Sequence, residues 1–162
     1  MSIKLTRSES QISKSDLVVL ENQINTKLPM SFKEFYLANN GGVSNKDWWD
    51  SDGEYEPVRV KKFKAVAPLS ADDALDTKYV GGCYQTMTSR NVIPATILPF
   101  AVDDGGNFFC LDLVEGSVCF FATDSFDSDL ATTENHMNAY RWLTESFEAF
   151  LSGLKDESDI DL

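Results

Sequence analysis

The sequence predicts an α+β fold, a single domain in which helices pack around an antiparallel sheet. Three observations lead there. Apolar residues recur at helical spacing near both ends of the chain. Between them lie short apolar runs separated by glycine-bearing turns, the pattern of consecutive strands. A length of 162 residues with 43% apolar content is enough for one core and too little for two domains.

In chain order, Leu17, Leu20 and Ile24 define a helix over 15–26, with Ser13 or Ser15 available as its cap. LPMSFKEFYLANNGG predicts a second, short helix. Ser31 and Glu34 have capping-box spacing, Met30 and Phe35 can close a hydrophobic staple, and Phe32, Phe35 and Tyr36 share a face. Asn40-Gly41-Gly42 ends it, because glycine accepts the left-handed conformation such an ending uses. VSNKDWWDSDGEYE, residues 43–56, reads as a polar loop holding two tryptophans. VRVKKFKAV, residues 58–66, reads as a strand with a basic solvent side. PLSADDAL reads as a turn and a short helix capped by Ser70, and YVGGCYQTMTSRN mostly as loop.

Two or three strands follow within 97–122, reversed by DDGGN and then by Glu115-Gly116. Phe108, Cys110 and Phe121 alternate with Phe109, Leu111, Leu113, Val118 and Phe120, so both faces are apolar and both need cover. A two-residue turn at Glu115-Gly116 sets Cys110 opposite Phe121 and Asp112 opposite Cys119. The two cysteines are then diagonal, roughly 7–8 Å apart, beyond disulfide reach. Leu143, Phe147, Phe150, Leu151 and Leu154 define a closing helix. The expected organisation is one domain over 1–154 and a frayed acidic tail, KDESDIDL, over 155–162.

Composition excludes several functions. The net charge is −12 and it is unevenly placed. Residues 1–64 carry 10 basic and 9 acidic side chains, whereas residues 65–162 carry 4 and 17. A field of that sign repels nucleic acid and anionic lipid and attracts a basic partner. No run reaches the roughly 18 apolar residues of a membrane span, and MSIKLTRSESQ holds no apolar run of the secretory type. The expected compartment is the cytoplasm. Cys83, Cys110 and Cys119 make neither a disulfide framework nor a metal pair and are expected as small buried residues; His136, the only histidine, is expected at the surface or in a loop.

Two segments invite a test for ligands. A calcium loop of the EF-hand type needs oxygen ligands at positions 1, 3 and 5 before its glycine and a glutamate at 12. With Gly105 sixth, Val102 falls at position 3; with Gly106 sixth, Ala101 falls at position 1. A phosphate loop should open a helix and continue into lysine or serine, but Phe108 and Phe109 begin a strand, and Asp103 and Asp104 repel an anion. DDGGN is therefore a hairpin turn, with Gly105 and Gly106 supplying positive φ and the two aspartates indifferent to stability. In DWWDSDGE, Asp50 and Asp52 suit calcium positions 3 and 5, but Trp48 and Arg59 fall at 1 and 12. The tryptophans are either core anchors for the loop or, for one of them, an interface anchor ringed by acid. No nucleophile–base pair, zinc-protease helix or dinucleotide turn is present, so no cofactor, metal or catalytic residue is expected.

Taken together, the helix ending in LP, then SFKEFYLANNGG, LPFAVDDGGNFFCLDL with GSVCFF after it, and SFEAFLSGL resemble the SUKH superfamily, from about residue 13 to 154. That group contains yeast cell-wall-assembly regulators and many bacterial immunity proteins. The resemblance implies an α+β fold and, in bacteria, binding and neutralisation of a cognate polymorphic toxin; it implies no catalytic residues. The shared positions Leu28-Pro29, Gly41-Gly42, Pro99-Phe100 and Gly105-Gly106 are fold-makers, and the WWD loop and acidic tail lie outside the pattern. The expected function is stoichiometric binding of a basic toxin domain. The expected contact residues are Trp48, Trp49, Asp50, Asp52, Asp103, Asp104, Asp124, Asp127 and Asp129. A regulatory or scaffolding module is the alternative, and a small enzyme using Cys83 or a carboxylate a third reading.

Overall fold

β1 (Leu5–Thr6) pairs antiparallel with β2 (Val43–Ser44), and two helices, α1 (Lys14–Ile24) and α2 (Met30–Ala38), run between them. The computed structural model describes residues 3–50 and 55–160. Ser13 caps α1: the Asp16 carboxylate accepts its N–H at 2.7 Å and its hydroxyl at 3.1 Å, and also accepts the Leu69 N–H at 2.7 Å. α2 begins differently from the expectation. Pro29 is its cap residue, Ser31 lies inside the first turn, and Met30 is 67% exposed, so neither the capping box nor the staple forms. The cause is upstream. Glu21 accepts the Leu28 N–H at 2.7 Å, anchoring the loop, and proline fixes the φ needed for the approach to the helix. Gly41 and Gly42 do have positive φ, +74° and +121°, two residues or more past the helix. A side chain on either would strike the backbone of Lys64 or of Thr6, so glycine here serves close approach as well as turning.

The loop expected at 43–56 contains two short strands, β2 and β3 (Trp48–Trp49), the latter paired with β4 (Val58–Arg59). The single strand expected over 58–66 is split at buried Val60 into β4 and β5 (Lys62–Phe63), which belong to different sheets. Arg59, Lys61 and Lys62 face solvent, but Lys64 is buried and donates its ammonium to the Thr77 carbonyl. No helix forms at 70–75. Leu69 and Leu75 remain more than 60% exposed, so a helix there would have no apolar face to bury.

A helix forms instead where loop was expected, α3 (Val80–Ser89). Gly81-Gly82 weakens the local helical signal, yet packing requires glycine at 82 and is close at 81. A side chain at Gly81 would collide with Gln23 of α1, and one at Gly82 with the 74–76 backbone.

The main sheet is five-stranded and antiparallel, ordered β5, β6 (Ile97–Val102), β7 (Phe108–Asp112), β8 (Val118–Phe121) and β9 (Tyr140–Thr144). Both of its faces are covered. Phe109, Leu111, Val118 and Phe120 pack with α1, α2 and α5 (Phe147–Gly153) in a core where Phe32, Phe100 and Phe147 lie with ring centroids 4.9–6.4 Å apart. Phe108, Cys110, Cys119 and Phe121 pack on the other face beneath α3 and α4 (Thr132–Ala139). This is the two-faced burial that the alternation predicts.

The register between β7 and β8 differs from the expected one. Cys110 is directly opposite Cys119, and Phe108 opposite Phe121. The reversal is longer than two residues. Asp112 Oδ1 accepts the N–H groups of Val114 and Glu115, its carbonyl accepts the Gly116 N–H, and its own N–H reaches the Ser117 carbonyl. An aspartate that nucleates its own turn sets the register. Leu143 is in β9 rather than in the closing helix, which begins at Phe147 with Ser146 accepting the Ala149 N–H. His136 lies on α4, and Nε2 is 2.8 Å from the Asn91 carbonyl oxygen. The segment after α5 is docked rather than frayed as far as it is described. Lys155 and Trp48 exchange both backbone hydrogen bonds, at 2.8 and 3.0 Å, and Ile160 is buried.

Candidate partner-binding surface

The surface is built on the β6–β7 turn. Asp103 Oδ1 accepts the N–H groups of Gly105 (2.9 Å) and Asn107 (2.8 Å), and Oδ2 accepts the Asn107 amide at 3.1 Å. Only Gly106 has positive φ, +83°; Gly105 does not. Asp103 is thus a structural carboxylate inside the turn, and its neighbour Asp104 is the exposed one. Both points correct the expectation of two left-handed glycines and two indifferent aspartates. The reason is the same as at Asp112: a carboxylate that collects turn amides replaces a tight two-residue reversal.

Asn107 carries the turn to a second acidic segment. Buried itself, it accepts the Thr123 hydroxyl at 3.1 Å and the Asp124 N–H at 3.4 Å through Oδ1. The chain then makes a single 3-10 turn, Thr123–Ser125, and a loop to α4. Asn135 holds that loop, accepting the Asp127 N–H at 2.8 Å and donating to its carbonyl at 2.9 Å, while Asp127 accepts the Asp129 N–H at 2.9 Å. Asp124, Asp127 and Asp129 are all exposed. Among them stands Phe126, 36% exposed, its ring 6.0 Å from His136 and 6.1 Å from Phe121.

The tryptophan strand is joined to the turn through Arg59. Arg59, opposite Trp48 in the β3–β4 pair, places Nε 2.9 Å from Asp47 and a terminal nitrogen 3.6 Å from Asp104. Trp48 is half-buried and fixed by its backbone bonds to Lys155. Trp49 is a packing residue: its ring stacks on Phe150 at 5.3 Å and 23°, over Gly153, where any side chain would strike it. Asp50 lies 3.8 Å from the Lys155 ammonium, and Asp52 falls outside the described residues. The structure therefore brings Trp48, Asp104, Asp124, Asp127 and Asp129 to linked segments, whereas Trp49 and Asp103 face the scaffold. Two aromatics absent from the sequence reading are Phe126 and Trp142, the latter 56% exposed on β9. Phe126 had a signal, an aromatic flanked by aspartates in TDSFDSDL; Trp142 had none, because its strand was hidden next to a helical pattern.

Among the described residues no three His, Cys, Asp or Glu side chains are grouped to hold a metal ion, and no helix is long and apolar enough to cross a membrane. What this surface offers is fixed shape, negative charge and the exposed ring of Phe126. Its frame coincides with a known pattern: residues 11–153 match the SMI1/KNR4 family, also called SUKH-1. The chain belongs to that family. Among curated proteins it is similar to the SPbeta prophage-derived uncharacterized protein YokK of Bacillus subtilis (strain 168). The two are 26% identical over 149 residues, which cover 85% of this chain and 72% of that protein. Within the matched span of this SMI1/KNR4 chain, Leu28-Pro29, Gly41-Gly42 and Gly105-Gly106 stand at a helix approach and two backbone reversals, positions that serve the fold.

Proposed function

We propose that this protein is an immunity protein, acting by stoichiometric binding without turnover to block a basic toxin domain inside the producing cell. The observation that carries the reading is the joining of the 103–107 turn to the 123–129 loop through Asn107, which presents Asp104, Asp124, Asp127 and Asp129 near an exposed Phe126. Preorganised like charge of this kind accelerates encounter with a basic partner, and an aromatic at its centre sets residence time. Trp48, paired across the strands with the Arg59 that reaches Asp104, extends the contact. Membership of SUKH-1 supports a role in protein binding, and the prophage origin of a relative is consistent with a gene that travels with its target.

The test is protection. A toxin domain encoded beside this gene, co-expressed with the protein, should be tolerated by cells and should form a one-to-one complex. Lack of protection and of any complex by the native protein would refute the assignment, whereas full protection by a variant reversed at Asp124, Asp127 and Asp129 would move the interface off this surface.

A further inference from the structure

Far in character from the acidic surface, the outer side of α1 and α2 holds an apolar groove of about 500 Å³. Buried Leu17 and half-buried Leu37 line it with Val18 and Met30, which are 48% and 67% exposed. Two features say what covers it. Residues 14–37 carry three basic and three acidic side chains, so this layer is neutral in a chain of net charge −12. A second copy is repelled by much of the molecule and is not repelled here.

The second feature is the arrangement of the charges at the groove. Lys33 is already paired with Glu21 at 3.3 Å. Lys14 and Glu34, both exposed and both at the groove, have no ion-pair partner among the described residues. One unpaired base and one unpaired acid on the same patch are self-complementary about a two-fold axis. We infer that a second copy of this chain docks on this groove. Met30 of each copy, unbranched and adaptable, enters the groove of the other, and Lys14 of each meets Glu34 of the other. Eight side chains line the groove, well short of the roughly 20–30 residues a side of a standard interface. The dimer is accordingly weak, with a dissociation constant on the order of tens of micromolar. It leaves the acidic surface free and so goes beyond the immunity reading.

Sedimentation equilibrium on the full chain, from about 5 to about 500 μM, reads this directly. The native protein should move from monomer to dimer across that range. Val18→Asp, at a position already half in solvent and therefore compatible with folding, should remain monomeric with an unchanged melting temperature. Lys14→Glu and Glu34→Lys should each weaken association about tenfold at low salt, and the double variant should restore it. A native chain that stays monomeric throughout, including one that takes a different protein into the groove, overturns the inference. So does a double variant no better than the single ones.

Discussion

The Asn107 carboxamide oxygen receives the Thr123 hydroxyl at 3.1 Å while its amide nitrogen donates to Asp103 at 3.1 Å, so one buried side chain ties the β6–β7 turn to the acidic loop. Asn107→Ala removes these two bonds and the one from the Asp124 N–H, leaving the Asp103, Thr123 and Asp124 partners to water. Denaturant unfolding should show a loss of about 1–3 kcal/mol. Charge is unchanged, so any slowing of partner association would report the loop's position alone.

The two aspartates of the turn should behave oppositely. Asp103→Ala deletes an acceptor of three hydrogen bonds and should cost about 1–2 kcal/mol. Asp104→Ala, exposed and paired with the exposed Arg59 at 3.6 Å, should stay within roughly 0.5 kcal/mol. Gly106→Val forces a β-branched residue to φ +83° and should cost about 1–3 kcal/mol. Gly105→Ala should be milder. Equal unfolding midpoints for Asp103→Ala and Asp104→Ala would remove the turn geometry described here.

All three cysteines are free and buried, and burial pushes the Cys83 and Cys110 thiols upward in pKa. Thiol titration of protein prepared without reductant should find three equivalents in denaturant and a negligible rate in the native state. Because Cys110 and Cys119 are directly opposed, theirs is the pair whose spacing suits a bridge. Loss of two equivalents in denaturant would show that it forms.

Two buried carboxylates contribute to the acid limit. Burial alone would raise Glu21, but the hydrogen bonds from the Leu28 N–H and from Lys33 outweigh it and hold its pKa below the ordinary 4.5. Burial likewise opposes, and the Ser13 and Leu69 N–H groups overcome, at Asp16, held below 3.8. A folded pKa below the unfolded one means stability that is complete above the unfolded value and lost as pH falls through the folded value. The melting temperature should therefore be flat in its Glu21 and Asp16 contribution above about pH 5 and fall below about pH 4. Glu21→Gln should flatten part of that fall. A steeper acid loss in Glu21→Gln than in the native chain would contradict the linkage.

Much of this fold was legible because the strands at 97–122 are marked on both faces and punctuated by glycine. The register was not, since Asp112 and Asp103 set their turns with side-chain carboxylates, which spacing alone does not announce. α3 was hidden by Gly81 and Gly82, whose low helix propensity is outweighed by packing against Gln23 and the 74–76 backbone. α4 and β9 were hidden because apolar residues on either side of Ser146 continue a helical period across a strand-to-helix junction. At the candidate surface, the charges were visible as composition, while Asn107, which organises them, reads in sequence as one polar letter in a turn.

The most direct measurement of the proposed role is the association rate of this protein with a toxin domain encoded beside its gene, at several ionic strengths. It should be taken for the native chain, for a variant reversed at Asp124, Asp127 and Asp129, and for Phe126→Ala. Native association should fall steeply with salt, and the charge-reversed variant should associate roughly 10- to 100-fold more slowly at low salt with a flattened dependence. Phe126→Ala should leave association nearly unchanged and speed dissociation by about 2 kcal/mol, roughly 30-fold. Salt-independent association by the native protein, with both variants indistinguishable from it, would place the interface elsewhere on the molecule.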